Sequence, residues 1–266
     1  MRILVTNDDG VDSEGLIVLA EALRPLGRVT VVAPDGDRSG VSHSITIRHT
    51  VSVVAVPGRA VPTYACSGTP ADCVVLGAFE LCEGRPDLIV SGINRGANLG
   101  DDTNYSGTVA GAMEGVMVGA QAIAVSLAST WPRLEDVHHW ETAAAIAREL
   151  AAELAREPLP PPLLYNVNVP NVAPERLRGI LYTSQGRKRY ENRVARESRD
   201  GTTSYYWIWG SFDRSQIGRG TDLEAIERGY ASVTPMSVDR TDYATLERLR
   251  TRGPLTAEIP RSESNF

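Results

Sequence analysis

The chain has 266 residues, 42% of them hydrophobic and 23% charged, and a formal net charge of −6. That length suits one large domain or a domain with an appendage. The acidic balance argues against non-specific binding to nucleic-acid backbones, yet it is compatible with a site where a metal supplies local positive charge for a small anion. The opening Ile3-Leu4-Val5 run is too short for the apolar region of a leader and is interrupted by Asn7-Asp8-Asp9. No apolar run approaches the length that spans a bilayer. Cys66, Cys73 and Cys82 are odd in number and lack a Cys-x-x-Cys pair, so they are expected to be reduced core thiols in a cytoplasmic protein. The four histidines (His43, His49, His138, His139) do not form a zinc spacing.

Taken in order, Met1 to Val5 reads as a buried strand, and Leu16, Leu19, Ala20 and Leu23 mark one face of a helix. Val29 to Ala33 reads as a second strand. The polar loop Pro34 to Ser44 follows, and Ile45-Thr46-Ile47 with Val51 to Val54 alternates like a hairpin pair. Thr69-Pro70-Ala71-Asp72 opens a helix: Thr69 caps it, Pro70 suits its first position and Asp72 favours its dipole. The buried face expected there is Val74, Val75, Ala78 and Leu81. Leu88 to Val90 is a further strand. Ser106-Gly107-Thr108 starts a helix in which Gly107, Gly111, Gly115 and Gly119 recur every fourth residue, a ridge suited to packing on a sheet. Ala122 to Leu127 is a strand, Trp140 to Leu154 a helix ended by Pro158 to Pro162, and Leu163 to Val169 a strand.

Strands alternating with helices indicate a doubly wound, mostly parallel α/β sheet. Beyond Pro170 the pattern changes. Gly186 to Arg199 is basic and polar, and Ser204 to Trp209 is aromatic, which reads as a protruding hairpin or arm that seeks a partner surface. Tyr230 to Thr234 reads as a returning strand, Tyr243, Leu246 and Leu249 as a short helix, and Ile259 to Phe266 as a loose tail. The expected organisation is a core over 1–175 and an extension over 176–266 within the same domain.

The stretch with most chemistry is Thr6-Asn7-Asp8-Asp9-Gly10. Two adjacent carboxylates at the end of a first strand repel unless something positive sits between them. A hard divalent cation with oxygen ligands fits there, at the sheet end where ligands bind; a solvated acidic turn satisfies the same residues. Ser39-Gly40 offers a hydroxyl and bare backbone, or a plain surface loop. Asn94 and Asn98 offer neutral oxygens or amide donors. Ser106-Gly107-Thr108 offers helix N-terminal amides and hydroxyls for an anion, or simple capping by Ser106. His43 is either a surface histidine or a group placed behind Ser39 or near a leaving group. The glycines after Val90 form neither a Walker loop nor a dinucleotide fingerprint.

With these segments laid out, the chain resembles the SurE (survival protein) family of metal-dependent nucleotidases. The resemblance rests on Ile3 to Gly10, Ala33-Pro34 with Arg38-Ser39-Gly40, Ser44-Ile45-Thr46, Gly68 to Val74, Ser91 to Asn94, Gly96, Asn98 to Gly100, Tyr105 to Ala110, Asn166 to Pro170, Tyr205-Tyr206-Trp207, Gly220-Thr221-Asp222 and Ser232 to Pro235. It implies a Rossmann-like core, a C-terminal arm used in homodimer or homotetramer assembly, and hydrolysis of nucleoside monophosphates. It implies 3′-nucleotides and short polyphosphate as further substrates. By position it implies one divalent cation per subunit, Mg²⁺ or Mn²⁺, held by Asp8, Asp9, Ser39 and Asn94. Asp8 and Asp9 are then the catalytic pair, and Gly40, Asn98, Ser106, Gly107 and Thr108 bind substrate. No nucleic-acid polymer and no membrane is an expected partner.

Rival readings differ at nameable residues. A haloacid-dehalogenase-type phosphatase needs Asp-x-Asp, and Gly10 stands two after Asp8 and Asn7 two before Asp9. A receiver-like signalling module needs an aspartate at the end of a middle strand, where this chain has Asn94. A nucleotide- or metal-binding protein without turnover would use the same pocket, and an activity assay separates it from an enzyme.

Overall fold

The computed structural model describes residues 1–129, 137–157, 162–188, 190–213 and 217–252. By compactness the chain divides into Met1–Met236 and Ser237–Phe266. The first unit opens with β1 (Arg2–Thr6), α1 (Glu14–Leu23), β2 (Arg28–Pro34), β3 (Val53–Ala55), β4 (Thr63–Cys66) and α2 (Pro70–Leu76). It continues with β5 (Leu88–Arg95), α3 (Gly107–Met117), β6 (Gln121–Ala128), α4 (Trp140–Arg156), β7 (Leu164–Pro170) and β8 (Ile180–Tyr182). Then come β9 (Tyr190–Asp200), β10 (Thr203–Phe212), α5 (Asp222–Glu227) and β11 (Ala231–Met236). In the second unit α6 (Tyr243–Arg250) is capped by Asp242, whose side chain accepts from the Thr245 amide. The expected tail at Ile259 to Phe266 and all but Pro162 of the proline run lie outside the described residues.

Among the described residues one sheet runs β3-β4-β2-β1-β5-β6-β7-β11-β8. Only β3–β4 and β7–β11 pair antiparallel in it. The chain winds outward from β1 through β2 to β4, then crosses back to lay β5 on the other side of β1. The fold is therefore a Rossmann-like, doubly wound α/β sheet, and its topological switch point lies between β1 and β5. The sheet extends past residue 175, because β8 and β11 belong to it.

Side-chain alternation along β1 feeds both faces. Ile3 and Val5 join a core with Leu16, Leu19, Leu23 and Trp140, where α1 packs on α4. Leu4 joins Val32, Cys66, Cys73, Val74 and Ile89 on the face of α2 and α3. The cysteines are free thiols, two of them buried. Of the four periodic glycines, Gly111 and Gly115 in α3 match the expected ridge, while Gly107 meets Asp8. A Cβ at Gly111 would lie 2.9 Å from Ser91 Oγ, and one at Gly115 would lie 3.1 Å from Ile89 Cβ. Gly119 does something else: with φ 92° it turns the chain after the helix, and a Cβ there would meet no atom within 4 Å.

The hairpin expected from Ile45-Thr46-Ile47 and Val51 to Val54 is not formed; β3 pairs instead with β4. Thr46 is diverted to the α2 cap, its amide donating to Asp72 Oδ1 (2.9 Å) and its hydroxyl to Asp72 Oδ2 (2.7 Å). Helix α2 gives way to a π-helical turn over 77–81. Val74 and Ala78 are buried as expected, whereas Val75 and Leu81 are half-buried.

The aromatic segment does form an arm. Strands β9 and β10 pair with each other in a separate two-stranded sheet, leaving Tyr205, Tyr206, Trp207 and Ile208 exposed. Its root is fastened to the turn over 100–104. Lys188 donates its amide to Asp101 (2.8 Å) and its ammonium to Asp102, while the Tyr190 hydroxyl donates to Asp102 (2.6 Å). The buried carboxylate of Asp222, at the start of α5, accepts the amides of Gly100 and Gly186, each at 2.8 Å.

Candidate active site

The acidic pair is set by a local fold of the chain after β1. Asn7 is buried, and its side chain accepts from the Gly10 amide (3.3 Å) while donating to Gly10 O (3.0 Å) and Ser13 Oγ (2.7 Å). This Asx turn closes the loop on itself and makes Asn7 its brace. Gly10 takes φ 105°, and a Cβ there would lie 3.2 Å from Gly36. The loop after β2 therefore lies directly against the acidic turn, and the Arg38 amide donates to Asp8 O at 2.8 Å.

Three more elements converge. Helix α3 arrives with its N-terminus on Asp8. A Cβ at Gly107 would lie 2.8 Å from both Cβ and Oδ2 of Asp8. Ser106 caps the helix through the Val109 amide (3.1 Å). Thr108 gives its hydroxyl and its backbone amide to the Asp8 carboxylate. The Gly107 amide meets no acceptor among the described residues, as expected for an orphan donor of a first turn. From β5, the Arg95 amide donates to Asp9 Oδ2 at 3.1 Å. The next residue back, Asn94, donates its Nδ2 to Gly96 O (2.9 Å), and none of the described residues donates to its Oδ1. In the β2 loop, Ser39 directs both its amide (2.7 Å) and its hydroxyl (2.6 Å) to Asp37 Oδ1.

The electrostatics are those of a site short of positive charge. Burial pushes Asp9 up to about 6, and the neighbouring Asp8 charge adds to the shift; the Arg95 amide opposes it. Burial also raises Asp8, against the opposing hydrogen bonds from Thr108. The Asp37 charge raises both. Among the described residues no cation forms an ion pair with any of the three.

The structure thus gathers Asp8, Asp9, Ser106, Gly107 and Thr108, with Asn94 one residue from the Asp9 contact and Ser39 on Asp37. Among the described residues no hydrogen bond joins Asn98 to these side chains. It is buried, its Nδ2 donating to Ser126 Oγ (2.8 Å), its amide to Asn168 Oδ1 (2.8 Å), and its carbonyl accepting from Asn166 (2.9 Å) and Asn168 (3.0 Å). It pins the glycine-rich loop to β6 and β7. Gly40 is exposed at φ 73° with no neighbour within 4 Å of a Cβ.

His43 is half-buried. Its Nε2 meets Glu114 Oε2 at 2.8 Å, tying the β2 loop to α3. Sequence reasoning gave no role to Asp37, Arg95 or Glu114. Asp37 carried a readable signal, a third carboxylate two residues before Ser39. Glu114 carried none, since its partner lies 71 residues away.

A doubly wound sheet that sets adjacent carboxylates and a helix N-terminus at its switch point defines a Rossmann-like α/β protein with its candidate site at the carboxyl ends of the central strands. Comparison with known proteins then gives the particular kind. Residues 3–192 match the family model described as Survival protein SurE. The chain is 45% identical over 250 residues to the 5′-nucleotidase SurE of Geobacter sulfurreducens, covering 94% of this chain and 93% of that protein. It is 45% identical to the 5′-nucleotidase SurE of Nitrosococcus oceani over 98% of this chain and 100% of that one. The crystal structure of the Sure protein from Aquifex aeolicus superposes with a TM-score of 0.81 at 39% identity, over 95% of this chain and 99% of that one. The chain belongs to the SurE family.

Proposed function

We propose that this protein is a 5′-nucleotidase, a phosphoric monoester hydrolase that converts nucleoside 5′-monophosphates to nucleoside and phosphate. The relatives carry that activity in their names. The observation that bears most weight in this chain is the seating of the α3 N-terminus on Asp8, with Asp9 beside it at the switch point. The reading extends to 3′-monophosphates and short polyphosphate. It includes a homodimer or homotetramer built through the exposed aromatic arm. Among the described residues no helix is long and apolar enough to cross a membrane, and the free thiols suit a cytoplasmic setting.

The donor set fits a hard divalent cation. Asp8 and Asp9 are both raised, and among the described residues neither has a paired cation and none donates to Asn94 Oδ1. Among the described residues no three His, Cys, Asp or Glu side chains converge as a metal cluster, so Asp8 and Asp9 would be completed by Ser39 and Asn94. All-oxygen donors favour Mg²⁺ or Mn²⁺ over zinc. When bound, such an ion supplies charge stabilisation to the phosphoryl group and acidifies water.

The chain's own groups do the rest. The Gly107 amide, aligned with the α3 dipole, donates to a phosphoryl oxygen. Thr108 holds the Asp8 carboxylate in one orientation, since both of its donors are committed there. Asp9 is held by one oxygen at the Arg95 amide and keeps Oδ1 to orient the attacking water and take its proton. Water adds to phosphorus as its proton passes to Asp9, the ester P–O bond breaks, and the nucleoside oxygen takes a proton back from Asp9 or from solvent as it leaves.

The test is phosphate release from a panel of 5′- and 3′-mononucleotides with Mg²⁺, with Mn²⁺ and with chelator, run beside Asp9→Asn. Turnover is expected, abolished by chelator and restored by metal, with the variant down by a factor of about 100 or more. No release from any nucleotide with any metal would overturn the assignment.

A further inference from the structure

Tyr105 stands immediately before the Ser106 cap of α3 and is 68% exposed. Among the described residues its ring stacks on no other ring and its hydroxyl bonds to nothing. Its backbone is nonetheless fixed from both sides. Its amide donates to Asp102 O at 2.9 Å, and its carbonyl accepts from the Ser42 amide at 3.1 Å. Ser42 also donates its hydroxyl to the neighbouring carbonyl of Asn104 at 2.6 Å. To make these bonds Ser42 adopts φ 56°, alone among the described non-glycine residues, and left-handed backbone is disfavoured for a residue with a Cβ. His43, the next residue, anchors that approach to Glu114. A second loop thus accepts backbone strain to hold in place a residue whose ring, among the described residues, stacks on no other ring.

The ring's position relative to the phosphate donors is set by the chain. From the free Gly107 amide back to Tyr105 is two residues, at most about 7 Å of chain. A nucleotide has a comparable layout, with ribose as the spacer between phosphate and base. From this placement, and resting on the nucleotidase reading above, we infer that Tyr105 is a specificity-determining residue whose ring stacks on the substrate's nucleobase while the phosphate sits at Gly107. Every base has a π-face, so such a platform accepts purines and pyrimidines alike and selects nucleotides over phosphomonoesters without a base.

The experiment compares wild type, Tyr105→Phe and Tyr105→Leu on adenosine 5′-monophosphate and on ribose 5-phosphate, which lacks the base. Tyr105→Leu is expected to lower kcat/KM for the nucleotide about tenfold, mainly through KM, in line with the usual worth of a base–aromatic stack. Tyr105→Phe is expected to restore it, and ribose 5-phosphate should change less than about twofold. An equal loss on both substrates would mean that Tyr105 only shapes the start of α3, and no loss on either would remove it from the site. A changed oligomeric state by size exclusion with both activities intact would assign the ring to a subunit interface. Each of these overturns the inference while leaving the nucleotidase standing. If wild type hydrolyses neither compound, the activity assignment fails instead. Calorimetric affinities of the same two compounds for the same three proteins then decide the stacking, with the same tenfold nucleotide-only loss expected.

Discussion

Helices α2 and α3 lie on one face of the sheet, and each begins with a hydroxyl cap and a carboxylate at its N-terminus. Asp72 is 5% exposed and Asp8 4% exposed, so burial alone does not distinguish them. Their acidities nevertheless move in opposite directions. Burial raises Asp72, but the amides and hydroxyls of Thr46 and Thr69 outweigh it and the net shift is downward. Burial raises Asp8, the hydrogen bonds from Thr108 and from the Asp8 backbone oppose it without cancelling it, the Asp37 charge adds to it, and the net shift is upward. Helix α2 supplies its own carboxylate three residues in, and its capping box is complete. Helix α3 has no acidic residue in its first turn and borrows Asp8 from β1, a carboxylate with another beside it. One N-terminus is finished as structure; the other sits on a buried carboxylate that its neighbours under-compensate, the contrast on which the proposed cation site rests.

The sharpest way to break this comparison is to neutralise each carboxylate in turn. Asp8→Asn should lower phosphate release by a factor of about 100 or more while leaving the fold intact. Asp72→Asn should keep kcat within about twofold but cost about 1–3 kcal/mol in a urea melt, because it leaves buried donors mismatched. If the two effects are exchanged, the distinction drawn here is wrong.

A smaller loss, roughly 10- to 100-fold in kcat, is expected for Gly107→Ala, whose new methyl would press on Asp8. The variant should remain folded, since alanine favours a helix. Circular dichroism beside the assay separates the two effects, and full activity in Gly107→Ala would show that the seat on Asp8 is not needed.

The smallest effect concerns pH and the chelator-treated protein. Asp9 is raised from 3.8 to about 6, so its contribution to stability is full below its unfolded value and is lost as pH rises through the folded one. Asp72 is lowered, so its contribution is held above the unfolded value and is lost as pH falls through the folded one. Asp9→Asn should therefore stabilise the chelated protein at pH 7.5 by about 2 kcal/mol. It should have no such effect at pH 3.5, and Mg²⁺ should shrink the gain. A thermal melt series at both pH values checks this; a gain that persists at pH 3.5 would point to packing rather than charge.

The same contrast explains what the sequence made legible. The α2 cap was readable because Thr69 and Asp72 satisfy each other three residues apart. The acidic pair was readable because adjacent carboxylates are costly in any fold. The arm was readable from aromatic residues running beyond the last strand–helix unit. What escaped depends on distant partners. Thr46 looks like strand until Asp72, 26 residues on, takes both of its donors. Asn98 gives no sign in the sequence that its Nδ2 donates to Ser126, 28 residues on, or its backbone amide to Asn168, 70 residues on. The strand β8 is only three residues long and finds its place beside β11, which no local pattern specifies. The ligand roles proposed for Ser39 and Asn94 rest on the family's pattern more than on any spacing in the chain.

The fastening of the arm has a mechanical consequence. Asp101 and Asp102 are gripped by Lys188 and Tyr190 at the arm's root, and Asp222 clips Gly100 to Gly186. The turn so gripped runs directly into Tyr105 and Ser106. Pulling the arm's root away from the core therefore requires breaking bonds that also hold the turn leading into α3.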